Sequence, residues 1–403
     1  MILEPPKRTY GLSPSVVSVV ILLTIVFAAV NVFLVSRTDY GASFYANWLA
    51  GRVLFAQGQN PYSAGIFENI VLRHTHDVRV SGFTLPLYAT LPTLPLSFIG
   101  NYDAALVIWM TVCEAALVLI AIRTIAALRL RSGWLSPAVV GSFVLFTYYG
   151  AFAAMDGDIG ILSVLALLVA VNAVRENELE FAGIMLAFAT MKYSLTLLPI
   201  LWILIWTLAN RRGAVAAWFM MVLGLLILIS FLFMPNWPTE FLRAIIYYYK
   251  YLNPMYFALF IEVWQPEIGG RIAWAVSGVI ALLMILEWAL NAKQDERAFE
   301  WVLAMTLSAG FLVGIPNIGK NLYLLWIPFL YAMDKAMQRW QRFGTAISLA
   351  LSAAFLLIPW LVSLFYTGFA EPVSALNLIF PFIALILLYW NRWWTIQRII
   401  EPY

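Results

Sequence analysis

Four short segments of the chain carry charged or amide side chains beside long apolar runs. Asp39 and Tyr40 directly follow the first run. Three later turns hold the other candidates: Asp156 and Asp158 in MDGDIG, Lys192 in ATMKYS, and Lys320 with Asn321 in GKNLY. Ionisable groups beside apolar spans are expensive to keep, so they are candidate functional residues. A carboxylate placed there can act as a general base, and a lysine can stabilise a developing negative charge.

Each candidate also has a structural explanation. Asp39 can mark a solvated helix end, and Asp beside Gly is common in turns. Lys192 and Lys320 can extend toward the lipid headgroups. The sequence favours a functional role for Asp39 and Lys192 and leaves both explanations open at the other positions.

The composition places these residues in a membrane protein. Of the 403 residues, 63% are hydrophobic and 11% are charged, against about 25% charged in an ordinary soluble domain. Cys113 is the single cysteine, so a disulfide within the chain is excluded. We expect the lipid bilayer to be a partner and expect no nucleic-acid partner.

The apolar runs predict an all-α polytopic protein with about twelve membrane-spanning helices, within a range of eleven to thirteen. The runs are 14–35, 103–122, 134–153, 159–174, 181–209, 214–234, 270–291, 298–314, 321–333, 344–366 and 373–390. The run 181–209 is too long for one crossing, so we interpret it as a tight pair that meets near Lys192. The run 84–100 contains three prolines, and it is either a kinked crossing or a segment that only enters the interface.

The distribution of positive charge predicts the orientation. With twelve crossings, both termini are cytoplasmic, and fifteen of the 24 Lys and Arg residues lie in inner loops. All the candidate residues then lie on the outer side of a cell membrane. The two long outer segments are 36–102 and 235–269, and residues 1–403 form a single membrane domain.

The first outer segment begins with a predicted helix. Phe44, Trp48, Gly51 and Phe55 recur at helical spacing and form an aromatic face. The segment is too polar to span a bilayer, which predicts a helix lying in the interface. Gly58, Asn60 and Pro61 in the turn before Tyr62 end this helix.

His74 and His76 lie in one loop with Asp77, as RHTHD. They form either a fragment of a metal site or a solvated loop, and the sequence has no third cluster of ligands. We therefore favour the solvated loop and expect no metal and no cofactor.

Two acids in an outer turn, a nearby lysine and an interfacial acid suggest acid–base chemistry on a lipid-borne substrate. Sugar transfer from a polyprenyl phosphate fits, because the leaving phosphate is stable as an anion and needs no general acid. Lysines can stabilise that phosphate, and one carboxylate can deprotonate the acceptor hydroxyl. A single displacement of this kind inverts the anomeric centre, unlike the two-carboxylate schemes of hydrolysis.

The order of motifs resembles that of the GT-C glycosyltransferases, and most closely that of glycosyltransferase family 87. The matching segments are Asp39-Tyr40, Gly58 to Tyr62, Phe83 to Leu87, Gly157-Asp158, Ala182 to Lys192, and Gly314 to Tyr323. Two segments depart from the family pattern: residues 83–87 lack one proline and the tyrosine, and Asp158 replaces a glutamine.

The resemblance implies a GT-C-like fold, an enzyme that transfers a hexose such as mannose, and a lipid or glycan acceptor. It implies that Asp39 is the catalytic base and that Lys192 contacts the donor phosphate. The predicted substrate-binding residues are Tyr40, Tyr62, Asp156, Asp158, Lys192, Lys320 and Asn321. Two alternatives remain: a transporter or flippase of lipid-linked glycans, and a non-catalytic subunit of a glycan-assembly complex.

Overall fold

The computed structural model describes residues 14–37, 40–73, 82–130, 137–251, 261–262, 265–313, 319–365 and 370–396. Within these ranges the chain is helical and has no β-strand. The α-helices are α1 (Pro14–Arg37), α2 (Ala42–Gln57), α3 (Ala64–Arg73), α4 (Leu94–Ser97), α5 (Tyr102–Ala127), α6 (Pro137–Phe146), α7 (Tyr148–Met155), α8 (Gly160–Arg175), α9 (Leu179–Ala189), α10 (Tyr193–Ala209), α11 (Ala214–Phe233), α12 (Trp237–Tyr251), α13 (Gly269–Asn291), α14 (Glu296–Gly310), α15 (Trp326–Phe365) and α16 (Ala370–Ile396). Three 3₁₀-helices cover Leu87–Thr93, Thr190–Lys192 and Gly319–Leu325.

The described helices are those of a multi-pass membrane protein. Six are long and apolar enough to cross a membrane by length and composition, and a seventh crossing results if α7 and α8 form one bent span. The predicted count of about twelve crossings stays a prediction.

One of the six candidate spans reverses direction within its length. It runs from Leu179 to Ala209, and 31 residues of straight helix would extend about 46 Å. Lys192 interrupts it with a non-helical backbone (φ −119°, ψ 72°). Arg212 Nη1 donates a hydrogen bond to the Val174 carbonyl at 2.8 Å, so both ends of the span lie at the same end of the bundle.

Helix α15 also folds back on itself. Its backbone breaks at Gln341, where φ is 44° and ψ is −110°. Ser352 Oγ contacts Met333 Sδ at 3.5 Å although the two residues are 19 positions apart, a separation of about 28 Å in a straight helix. The chain therefore returns toward its starting end after Gln341.

Helix α2 forms where the aromatic spacing predicts it. It starts after Gly41 (φ 96°) and ends at Gly58 (φ 64°), whose N–H donates to the Leu54 carbonyl. A glycine in the left-handed conformation is a common helix terminator. Nine of the sixteen residues of α2 are buried, so neighbouring helices cover most of its surface. Its predicted position in the membrane interface stays a prediction.

The proline-rich run 84–100 does not form a membrane-length helix. Residues Leu87–Thr93 form a 3₁₀-helix, and α4 adds four residues. Proline removes backbone donors and clashes with the preceding turn, so three prolines in this run disfavour a continuous helix. The segment packs against α2, where Trp48 Nε1 donates to the Leu96 carbonyl at 3.0 Å.

Close packing between α9 and α11 depends on Gly183. A Cβ atom on Gly183 would lie 2.5 Å from the Val215 carbonyl oxygen and 2.8 Å from the Phe219 nitrogen, which are both backbone atoms of α11. We expect Gly183→Ala to lower stability by about 1–3 kcal/mol, because the two helices must separate. The measurement is thermal unfolding of the purified protein in detergent.

Gly224→Ala is the matched control, because no atom lies within 4 Å of a Cβ built on Gly224, which is in α11. Its unfolding midpoint should stay unchanged or rise, since alanine favours a helix interior over glycine. Equal midpoints for the two variants would contradict the proposed close packing.

Candidate active site

The acidic turn predicted from MDGDIG lies at a sharp bend between α7 and α8, whose axes differ by 115°. Gly157 occupies the left-handed region, with φ 65°. Its carbonyl accepts a hydrogen bond from Trp109 Nε1 at 2.9 Å, which ties the turn to α5. Asp158 Oδ1 accepts a hydrogen bond from the N–H of Gly160, the first residue of α8, at 2.7 Å. The backbone of the turn is therefore fixed on both sides.

Asp158 forms a buried ion pair with Lys192. Lys192 Nζ lies 2.6 Å from Oδ1 and 2.5 Å from Oδ2 of Asp158. Asp158 is fully buried, and Lys192 is 9% exposed. The backbone N–H of Lys192 donates to Ser163 Oγ at 3.0 Å, which anchors the reversal of the chain to α8. An ammonium carries three N–H donors, and the contacts with Asp158 use at most two of them, which leaves one N–H without an acceptor among the described residues.

Asp156 forms a second buried ion pair, with Lys320. Lys320 Nζ also donates to Ser43 Oγ at 2.6 Å. Asp156 accepts two further hydrogen bonds from the start of α2: from the Ser43 N–H at its Oδ1 (3.3 Å) and from the Phe44 N–H at its backbone carbonyl (3.1 Å). A carboxylate at a helix N-terminus satisfies unpaired N–H groups and interacts favourably with the helix dipole.

These contacts bring four parts of the chain together at one end of the bundle. They are the start of α2, the acidic turn, the 3₁₀-helix Thr190–Lys192 and the 3₁₀-helix Gly319–Leu325. The sequence predicts that the charged residues share one side of the membrane. It does not predict the pairing, in which Asp156 binds Lys320 and Asp158 binds Lys192.

The other predicted residues lie around this cluster. The ring of Tyr40 meets that of Phe152 edge-on at 5.9 Å, and burial raises the pKa of the Tyr40 hydroxyl. Tyr62 donates its hydroxyl to the Leu85 carbonyl at 2.8 Å, and burial raises the pKa of that hydroxyl as well. Asn321 is buried next to Lys320. Asp39, His74, His76, Asp77, Gly314 and Pro316 lie outside the described residues.

Helix α12 belongs to the second predicted outer segment and packs against residues of the first predicted outer segment. Phe241 contacts the rings of Tyr62 (6.2 Å) and Tyr193 (5.9 Å). Glu240 Oε2 accepts a hydrogen bond from Asn60 Nδ2 at 3.3 Å. The 3₁₀-helix after Pro86 joins the same region, because the Tyr88 hydroxyl bonds Thr190 Oγ1 at 2.9 Å.

The sequence interpretation missed Ser43 and Trp109 as parts of this site. Ser43 could have been predicted from the sequence, because a hydroxyl side chain in the first turn of a helix can bond polar groups at the helix start. Trp109 lies inside an apolar run, and no charged residue lies within four positions of it. Its contact with Gly157 becomes visible only when the two helices are packed.

Gly157 is expected to be sensitive to substitution. A Cβ atom there would lie 2.6 Å from Phe44 Cβ and 2.9 Å from Trp109 Cδ1. Gly157→Ala should therefore push the start of α2 away from the acidic turn, in addition to about 1–2 kcal/mol of left-handed backbone strain. We expect a total loss of about 2–5 kcal/mol in stability by thermal unfolding.

Gly58→Ala separates the two causes, because Gly58 has nearly the same φ of 64° but no atom lies within 4 Å of a Cβ built on it. It should show the backbone strain alone. If both variants lose the same stability, the close approach of α2 to the turn does not matter.

The fold and site define a helical membrane protein with buried cations and carboxylates at one end of the bundle. The sequence model of glycosyltransferase family 87 matches residues 83–316, which is more than half of the chain. The chain therefore belongs to glycosyltransferase family 87, and it is a membrane glycosyltransferase. No curated protein and no solved structure gives a significant match.

The family match includes the acidic turn and Lys192 and leaves out α2 and Lys320. Ser43 of α2 and Lys320 both bond Asp156, which lies within the matched residues. Within the described residues, no group of three or more His, Cys, Asp or Glu side chains is arranged to hold a metal ion.

Proposed function

We propose that this protein is an inverting glycosyltransferase that moves a hexose, such as mannose, from a polyprenyl-phosphate donor to a lipid or glycan acceptor. Family membership supports sugar transfer. The observation that best supports a phosphate-bearing donor is the Lys192 ammonium, held in a buried turn by Asp158 with one N–H to spare. Such a preorganised cation stabilises charge as the phosphate leaves.

In the proposed mechanism Asp39 takes the proton of the acceptor hydroxyl as its oxygen attacks the anomeric carbon. The bond between that carbon and the phosphate oxygen breaks, and its electron pair stays on the phosphate. Lys192 stabilises the departing phosphate. Tyr40, Tyr62 and Asn321 line the substrate site.

Asp156 and Lys320 contribute chiefly by fixing the start of α2. Their ion pair and the Ser43 hydroxyl join α2 to the acidic turn. Tyr40 is two residues before α2, so the same contacts limit the movement of the segment next to the proposed base.

We further propose a single domain with about twelve crossings, cytoplasmic termini and an outward-facing site in the cell membrane, with the helices of the first loop in the interface. The reversals at Lys192 and Gln341 support this topology, because each converts one candidate span into two antiparallel arms. Basic residues at the opposite end of the bundle support the orientation. Arg175 bonds the Ala126 carbonyl there, and Arg129 pairs with Glu296.

The test uses the purified protein in lipid vesicles with a panel of labelled polyprenyl-phosphate hexoses and a mixture of lipid acceptors. We expect transfer from one donor, with inversion of the anomeric configuration in the product. Retention of configuration would contradict the single displacement. Passage of labelled donor across the bilayer without transfer would instead support a flippase.

A further inference from the structure

Asn47 of α2 is a buried polar residue whose amide oxygen has no partner. Its residue exposure is 2%, and within the described part of the chain Oδ1 accepts no hydrogen bond. A buried polar atom left unpaired lowers the stability of a folded protein, so such an atom calls for an explanation. The sequence interpretation assigned Asn47 no role, because it lies off the aromatic face.

Two sides of α2 are already covered by apolar contacts. Phe44 stacks on Trp109 of α5, with ring centroids 5.8 Å apart. Ala46 and Val53 pack with α3 in a separate apolar cluster. At about 100° per residue, Asn47 lies about 60° from Phe44 and about 100° from Ala46 around the helix axis, on the side between these two contacts.

That side is the one that carries Ser43. Residues four positions apart share a helix face, and Ser43 Oγ accepts its hydrogen bond from Lys320. Side chains in an α-helix lean toward its N-terminus, so the Asn47 amide leans over the turn that holds Ser43. The unpaired oxygen therefore lies one helical turn from the cluster of buried ion pairs.

The chemistry of this oxygen selects its ligand. An amide oxygen accepts hydrogen bonds and donates none, so its missing partner must carry a hydrogen. A sugar hydroxyl meets this requirement, and a deprotonated phosphate oxygen does not. Cations suited to the phosphate lie close by, at Lys192 and Lys320. We propose that Asn47 Oδ1 binds one hydroxyl of the sugar being transferred, an inference that rests on the proposed function.

The test compares wild type with Asn47→Leu, which has a similar shape and no amide. We expect kcat/KM for the preferred donor to fall about tenfold, the loss typical of one hydrogen bond. The thermal unfolding midpoint should stay unchanged or rise, because an unpaired buried polar atom is removed. Asn47→Ala repeats the comparison without any risk of overfilling the space.

Deoxygenated donors identify the hydroxyl. Wild type should lose about tenfold in kcat/KM when one particular sugar hydroxyl is absent. The Asn47→Leu variant should lose nothing further on that donor, because both partners of the same hydrogen bond are then missing. It should still discriminate against the other deoxy donors as wild type does.

Tyr331→Phe is the control, because it also removes a buried hydroxyl that has no partner among the described residues. Tyr331 belongs to α15, beside Lys335, and it plays no part in the proposed site. Its kcat/KM should equal that of wild type.

Two outcomes would overturn the role of Asn47 alone. One is wild-type kcat/KM in both Asn47 variants. The other is a loss of activity with undiminished discrimination against every deoxy donor, which would indicate a structural amide paired with water. If wild type transfers no sugar from any polyprenyl-phosphate donor, the proposed function fails and this inference fails with it.

Discussion

Asp39→Asn is expected to lower the turnover number for sugar transfer by about 10²–10⁴-fold, the usual contribution of a general base. Asparagine keeps the size and hydrogen-bonding shape of aspartate but cannot take up the proton of the acceptor hydroxyl. The KM for the donor should change little, because the proposed donor contacts come from Lys192 and its neighbours. Steady-state kinetics with the preferred labelled donor measures both quantities.

The structure supports this prediction through the residues that follow Asp39. The backbone of Gly41 takes the left-handed conformation, and its carbonyl accepts a hydrogen bond from the Tyr102 hydroxyl at 2.8 Å. Two residues later, Ser43 joins the contacts of Asp156 and Lys320. A base needs a defined position to act, and these contacts fix the chain immediately after it.

Glu68→Gln is the control for the change in charge, since Glu68 is exposed on α3, in the same predicted outer segment as Asp39. It should transfer sugar at the wild-type rate. If Asp39→Asn also keeps wild-type turnover, another group must accept the proton. Asp156 and Asp158 are poor replacements, because each already accepts a hydrogen bond from a lysine ammonium.

The sequence predicts which end of the bundle each charged residue occupies, but it does not predict which residue each one pairs with. Alternation of apolar runs and turns is sufficient to predict that the acidic turn, Lys192 and Lys320 lie at the same end of the bundle. The pairing depends on the 115° bend between α7 and α8 and on the left-handed backbone at Gly157. Such angles arise from packing between helices, so they cannot be predicted from the periodicity of apolar residues along one helix.

Helix α2 is a second case in which the sequence predicts the element but not its packing partners. The glycines at both ends and the aromatic spacing predict its bounds well, because they are local signals. The burial of α2 depends on elements distant in sequence, namely residues 87–97 and α5, which pack against it. One aromatic face suggests a helix lying on a surface, whereas nine of the sixteen residues of α2 are buried.

The second large effect is expected at Lys192, where the structural and catalytic contributions of the ion pair can be separated. Lys192→Met keeps the length of the side chain and removes its charge. The buried Asp158 carboxylate is then unpaired, which should cost about 3–5 kcal/mol of stability. This variant alone does not distinguish lost catalysis from lost folding.

The double variant Asp158→Asn/Lys192→Met removes both charges. Asparagine keeps the Oδ1 atom, so the hydrogen bond from the Gly160 N–H at the start of α8 is retained. We expect this variant to recover most of the lost stability, because neutral partners leave no unpaired charge in the interior. Thermal unfolding of the two variants and wild type measures this recovery.

We expect the double variant Asp158→Asn/Lys192→Met to remain defective in sugar transfer even though its stability recovers. The loss of one preorganised group that stabilises developing charge typically lowers turnover by about 10²–10³-fold, and the double variant still lacks it. The matched control is Glu287→Gln/Arg392→Met, because Arg392 binds both carboxylate oxygens of Glu287 at 3.0 Å near the opposite end of the bundle. That pair should affect stability alone. Wild-type transfer by the Asp158→Asn/Lys192→Met protein would show that Lys192 serves the fold and does not contact the donor phosphate.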